Sequence, residues 1–252
     1  MKYQRIFCGL LAAVLLLWMA LPCAAEQQGM PEVIGSPEPL PQALSNRLSD
    51  LSVCYLASGA VMTPQQQSES FSPQSGEVLL MTALLTAEKT HQDDVVTIPE
   101  EVPWPSGLSN VLGLRAGDTP TTQDLLAGML LTGAEDCAYA LARYISGSVE
   151  DFVGLMNSRA KELGMGSTAF SNPAGLEEDA ASTNVNDLMK LLQAAANQER
   201  LAEVFQMQQY SASDGSVIQN RCPMMEEGNR SYDDRVVGML YGRNDSGGFR
   251  CV

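Results

Sequence analysis

Few side chains in this chain are placed to do covalent chemistry. Ser72 and Ser75 open the apolar run SPQSGEVLLMTALLTAE, Ser72 to Glu88, where a serine hydroxyl at a helix start is a candidate nucleophile if a base reaches it. The one histidine, His91, follows in the polar run Lys89-Thr90-His91-Gln92-Asp93-Asp94, which reads as a solvated loop rather than as the seat of a catalytic base. Cys54, Cys137, Cys222 and Cys251 lack metal-type spacing, and four cysteines allow three disulfide pairings that the sequence leaves open. Cys54 and Cys137 sit inside apolar segments and read as buried free thiols. No metal and no cofactor is expected.

These residues need elements to hold them. Within Ser72 to Glu88, Val78, Leu79, Leu80, Met81, Ala83, Leu84, Leu85 and Ala87 leave almost no polar face, so the run is expected to be a helix surrounded on several sides. Ser72 and Pro73 supply its start signal. Ser148 to Leu163 is expected to be a surface helix: Ser148 and Asp151 form a near capping box, Phe152, Leu155, Met156, Ala160 and Leu163 share one face, and Gly164 stops it. Leu51 to Leu56 and Gly59 to Met62 read as two short strands around a turn. His91 to Pro120 reads as loop with a short strand at Val95 to Ile98, since Pro99, Pro103 and Pro105 break any helix. Met207 to Cys222 reads as irregular strands.

The chain has 252 residues, 45% of them hydrophobic, enough to fill a core. Lys2 and Arg5, the apolar run Ile6 to Leu21 and Cys23-Ala24-Ala25 read as a secretory signal ending at residue 25. Export is therefore expected, and membrane contact only through that segment if it stays uncleaved. Glu26 to Pro41 carries Pro31, Pro37, Pro39 and Pro41 and suits an extended linker, giving an organisation of leader 1–25, Pro-rich linker 26–45 and one domain 46–252. Cleavage takes away two bases and no acid, moving the net charge from −15 to −17. Such a chain repels nucleic acid, anionic lipid and anionic wall polymer.

Several phrases, in order, carry a resemblance: Met81-Thr82-Ala83-Leu84-Leu85, then Gly117-Asp118 with Thr121 to Leu131, Leu163-Gly164-Met165, Asn172-Pro173-Ala174-Gly175-Leu176, and Ser182-Thr183 with Asp187-Leu188. From Leu51 onward the chain resembles the D-alanyl-D-alanine carboxypeptidases, the low-molecular-mass penicillin-binding proteins of serine peptidase family S11. The resemblance implies an α+β fold of the β-lactamase/transpeptidase type, with helices packed around an antiparallel sheet. It also implies bacterial envelope location and serine chemistry on peptidoglycan stem peptides. Thr121 to Leu131 then corresponds to the family's second large helix, with Thr121 or Thr122 as cap and Asp124 in the first turn.

The chemistry of that family is missing where the resemblance puts it. Counting back from Met81, Leu79 holds the place of the lysine base and Gly76 that of the serine. Sliding by one residue offers Ser75 as nucleophile but leaves Val78 as its partner. In the second motif Gly133 replaces the serine that passes protons and Glu135 the asparagine that holds the substrate amide, and a carboxylate there is expected to repel a substrate ending in a carboxylate. In Gly238-Met239-Leu240-Tyr241-Gly242, Leu240 stands for the lysine and Tyr241 for the threonine of the third motif, and Gly242 remains. Gly247 to Val252 resembles the first residues of the next strand, so the sheet is expected to lack its final strands.

Three functions compete. The first is a silent relative whose cleft is made apolar by Leu79, Gly133, Leu240 and Tyr241 and binds an extracytoplasmic protein or a peptidoglycan stem peptide, unless those side chains simply fill the old cleft. The second is an active D-Ala-D-Ala carboxypeptidase using Ser72 or Ser75. The third is a truncated, decayed product.

Overall fold

A computed structural model describes residues 53–55, 60–62, 70–73, 75–100, 104–176, 181–230, 232, 241–243 and 249–251, the first two and last two segments by their backbone. The expected leader 1–25 and linker 26–45 lie outside the described residues, as does Leu240.

The most buried element is α1, Ser75–Lys89. From Gly76 to Thr86 every residue is buried, so the helix has no solvent face until its last turn. The other described helices, α2 (Thr122–Thr132), α3 (Glu135–Ser146), α4 (Val149–Glu162), α5 (Val185–Ala196) and α6 (Glu199–Phe205), all pack on α1. Its expected start is corrected by three residues: the chain at Phe71 pairs with Thr183 through two backbone hydrogen bonds of 2.9 and 2.8 Å, and Ser72 and Pro73 lie outside the helix.

Local chemistry sets the other helix ends. Thr121 caps α2, accepting from Asp124 N at 3.1 Å while its own N–H donates to the Asp124 carboxylate at 2.7 Å, a complete capping box. Ser148 caps α4 at Asp151 N, 3.0 Å, and buries Phe152, Met156 and Ala160 on one face. Asn184 caps α5 in the same way, at 2.9 Å from Asp187 N.

Six short strands are described, paired antiparallel two by two: β1 (Val53–Tyr55) with β2 (Ala60–Met62), β3 (Gln209–Ser211) with β4 (Val217–Gln219), and β5 (Tyr241–Arg243) with β6 (Phe249–Cys251). The fold class is α+β. Val95 to Ile98 is extended, with Val96 and Ile98 donating to the carbonyls of Pro120 and Asp118, but makes an isolated bridge at Val95 and Thr121 rather than the expected strand.

One buried bond joins distant parts of the frame. Thr82 Oγ1 donates to the carbonyl of Pro173 at 2.7 Å. That carbonyl belongs to a turn closed by Asn172, whose Oδ1 accepts from the backbone N–H groups of Ala174, Gly175 and Leu176.

Candidate active site

The first motif position lies in the opening turn of α1. Ser75 is its first residue and half-buried, Gly76 is buried behind it, and Val78 and Leu79 are 3% and 1% exposed. Leu79 is a core residue. Of the two readings, a side chain lining an apolar cleft or one filling it, its burial agrees with filling: the side chain belongs to the cluster that packs α1 against its neighbours. Lysine is the base that the family resemblance calls for, and none of the described lysines lies in the first turns of α1. The chain has four lysines, Lys2, Lys89, Lys161 and Lys190. Lys89 ends α1, about 20 Å from its start at 1.5 Å per residue, Lys161 is exposed on α4, and Lys190 is tied to Asp187 at 2.9 Å.

His91 is exposed beyond the far end of α1, with its backbone N–H on the Asp94 carboxylate at 2.9 Å. It borders a hollow of about 390 Å³ between Thr90–Asp93 and Glu199, Arg200 and Glu203. Arg200 is held there by neutral oxygens, those of Gln123, Thr90 and Thr122.

The second motif sits between α2 and α3. Gly133 closes α2 in the left-handed region at φ 74°, its N–H returning to the carbonyl of Met129 at 2.9 Å, an αL C-cap that favours glycine. Ala134 offers no side-chain cap to α3. Instead Glu135 and Asp136 occupy its first turn, where the helix dipole favours acids.

Both carboxylates turn to the loop that precedes α2. Glu135 accepts from Ser109 N at 2.7 Å and Ser109 Oγ at 3.0 Å, with Asn110 N at 3.5 Å. Asp136 accepts from the N–H groups of Leu112, Gly113 and Leu114 at 2.9, 2.8 and 3.1 Å. Glu135 is 4% exposed. The carboxylate already has its donors inside the chain.

Cys137 follows in α3, buried and free, with its thiol pushed well up by burial and then by Asp136, which makes it a packing residue rather than a nucleophile. Cys222 is likewise buried and free, which removes both from the pairings the sequence left open. Cys54 and Cys251 are described by backbone, in β1 and β6.

The third motif position is β5. It lies against α1 and pairs with β6 so that Tyr241 stands opposite Cys251 and Gly242 opposite Arg250. The fold thus brings the elements of all three motif positions onto one helix. Of the residues expected at the site, it places Gly76, Leu79, Gly133 and Glu135 in roles of packing, capping and loop anchoring.

Sequence reasoning missed Ser109 and Asn110. The only signal for them was a polar pair inside a loop 25 residues and more before Glu135, and nothing local marks that contact.

Comparison with known proteins agrees with this arrangement. A sequence profile described as D-alanyl-D-alanine carboxypeptidase, peptidase family S11, matches residues 52–245. The D-alanyl-D-alanine carboxypeptidase DacF of Bacillus subtilis is 29% identical over 190 residues, 73% of this chain and 46% of that protein. DacC of Escherichia coli is 32% identical over 144 residues, 54% of this chain and 36% of that protein. The chain therefore spans about half or less of the length of these relatives.

Among solved structures, a D-alanyl-D-alanine carboxypeptidase from Mycobacterium tuberculosis superposes with a TM-score of 0.68 at 23% identity, covering 78% of this chain and 73% of that one. Penicillin binding protein 6B from Escherichia coli gives 0.64 at 25%, covering 76% and 62%. With its profile match running from β1 to β5 and its fold shared with these proteins, the chain belongs to the D-alanyl-D-alanine carboxypeptidase family, peptidase family S11.

Proposed function

We propose that this chain is a non-catalytic member of the family, with a binding role outside the cytoplasmic membrane of a bacterium. The observation that carries the reading is Leu79, sealed in the core where the family resemblance calls for a lysine base. Of the described lysines, Lys89 ends α1, Lys161 is exposed on α4 and Lys190 is paired with Asp187. Loss of the nucleophile or its base from a serine hydrolase costs about 10⁶ in rate, and here both are replaced together with Gly133 and Glu135.

The partner we favour is an extracytoplasmic protein rather than a peptidoglycan stem peptide. A chain of net charge −15 or below repels the carboxylates of wall polymers, and Glu135 offers no side-chain donor to a substrate amide. The expected location rests on the leader-like residues 1–25.

A fluorescent penicillin tests the chemistry. Incubated with the purified chain, it leaves no covalent label under conditions that label an active relative, whereas an adduct on Ser72 or Ser75 overturns the proposal. Co-sedimentation with purified peptidoglycan tests the preference for a protein partner: the chain stays in the supernatant at physiological salt, and pelleting with the wall overturns that preference.

A further inference from the structure

Asn110 has every polar group of its side chain engaged. Its Nδ2 donates to the carbonyl of Thr132 in the last turn of α2, and its Oδ1 accepts from Arg221 at 2.8 Å. Its backbone carbonyl accepts from Glu135 N at 2.8 Å. Arg221 in turn donates its own backbone N–H to Leu131 at 2.9 Å. Gly133 lies between these contacts, and a Cβ built on it would stand 3.1 Å from Asn110 Nδ2.

We propose that Asn110 is an internal plug of the second motif. Its amide fills the space that a side chain at position 133 needs, and Glu135, Thr132 and Arg221 hold it in place. The serine expected at 133 is therefore disfavoured twice, by the left-handed backbone and by the amide that would have to give way to it. Closure of this position is an active contact made by a loop, and not only the loss of a hydroxyl.

The ties differ in exposure. Glu135 is buried, while Arg221 is exposed and its bond to Asn110 is open to water. The plug is thus fastened from inside by a carboxylate and from outside by a guanidinium that solvent competes for. This inference does not rest on the proposed non-catalytic role, since a chain acting through Ser75 would carry the same plug.

Two measurements on the full chain test it. In the first, amide hydrogen exchange is compared among the wild type, Glu135→Ala and Arg221→Ala. The amides of Ser109 and Asn110 exchange about tenfold faster in Glu135→Ala, and faster than wild type in Arg221→Ala. Those of Leu112, Gly113 and Leu114, held by Asp136, keep their rates in both. Ser148→Ala, which removes the cap of α4, serves as a control for general loss of stability and leaves the Ser109 and Asn110 rates in proportion to the rest. Unchanged rates at Ser109 and Asn110 in both variants overturn the plug.

The second is a double-mutant cycle read as melting temperature. Gly133→Ser lowers it in the wild type, and the drop is at least halved when Asn110→Gly is also present. Equal drops in the two backgrounds overturn the proposal.

Discussion

Tyr210 donates its hydroxyl to the carboxylate of Asp124 at 3.0 Å, tying the β3–β4 hairpin to the first turn of α2. The same carboxylate accepts from the backbone and hydroxyl of Ser213 and from the backbone of Thr121. Burial pushes its proton affinity up, but the bonds from Ser213 and then Thr121 outweigh this and hold the carboxyl below its ordinary value. Tyr210 is pushed up to about 12 by burial and by Asp124.

A depressed carboxyl contributes stability that is present above its unfolded value, about 3.9, and is lost as pH falls through the lower folded value. A raised phenol contributes stability that is present below about 10 and is lost as pH rises through its folded value. The hairpin is therefore docked between roughly pH 4 and 10 and loosens at either side. Urea melts across this range check it. Asp124→Asn lowers stability at pH 7 by about 1–3 kcal/mol and flattens the acid limb.

Gly128 lies in the middle of α2, where a Cβ would come within 3.0 Å of both Cys137 Sγ and Leu112 Cδ2. Gly128→Ala gains helix propensity of about 1 kcal/mol, but overpacking a close helix contact costs about 1–3 kcal/mol, so a net loss is expected. Gly154 in α4 has nothing within 4 Å of such a Cβ. Gly154→Ala is expected to stabilise by about 0.5–1 kcal/mol. Chemical denaturation of the pair reads the opposite signs directly.

Restoring the first motif by Gly76→Ser with Leu79→Lys does not restore turnover, because Gly133 and the plugged second motif remain. It also places an ammonium where Leu79 is 1% exposed, and a buried charge without a partner is strongly destabilising, by about 3–5 kcal/mol. Penicillin labelling and a thermal melt of the double variant check both halves; a folded, labelled variant is the result that contradicts them.

Thr82→Val keeps the shape of α1 but removes the donor to Pro173. The buried carbonyl is left without that donor, at a cost of about 1–3 kcal/mol, read as a lower urea midpoint with an unchanged slope.

How far the sequence revealed this molecule differs from element to element. Helix α1 was legible because its apolar residues leave no other state, yet its start was misread: the Ser72-Pro73 signal is genuine chemistry, but pairing of Phe71 with Thr183, over a hundred residues away, overrides it. Helices α2, α4 and α5 each carry a side-chain cap that local sequence shows. Helices α3 and α6 escaped because Ala134 and Gln198 make no side-chain cap bond. At the site, the residue types at Gly76, Leu79, Gly133 and Glu135 were legible from the family resemblance. The orientation of Glu135 was not, since its donors Ser109 and Asn110 come from a loop that only the folded chain brings near.

The Thr82–Pro173 bond also has a bearing on inheritance. It welds two of the phrases by which kinship is traced, Met81-Thr82-Ala83 and Asn172-Pro173-Ala174, into a single brace across ninety-one positions of chain. The acceptor is a main-chain carbonyl, so the brace depends on the path of the turn and on the hydroxyl of Thr82 alone. The brace thus ties helix to turn without drawing on any side chain of the motif positions.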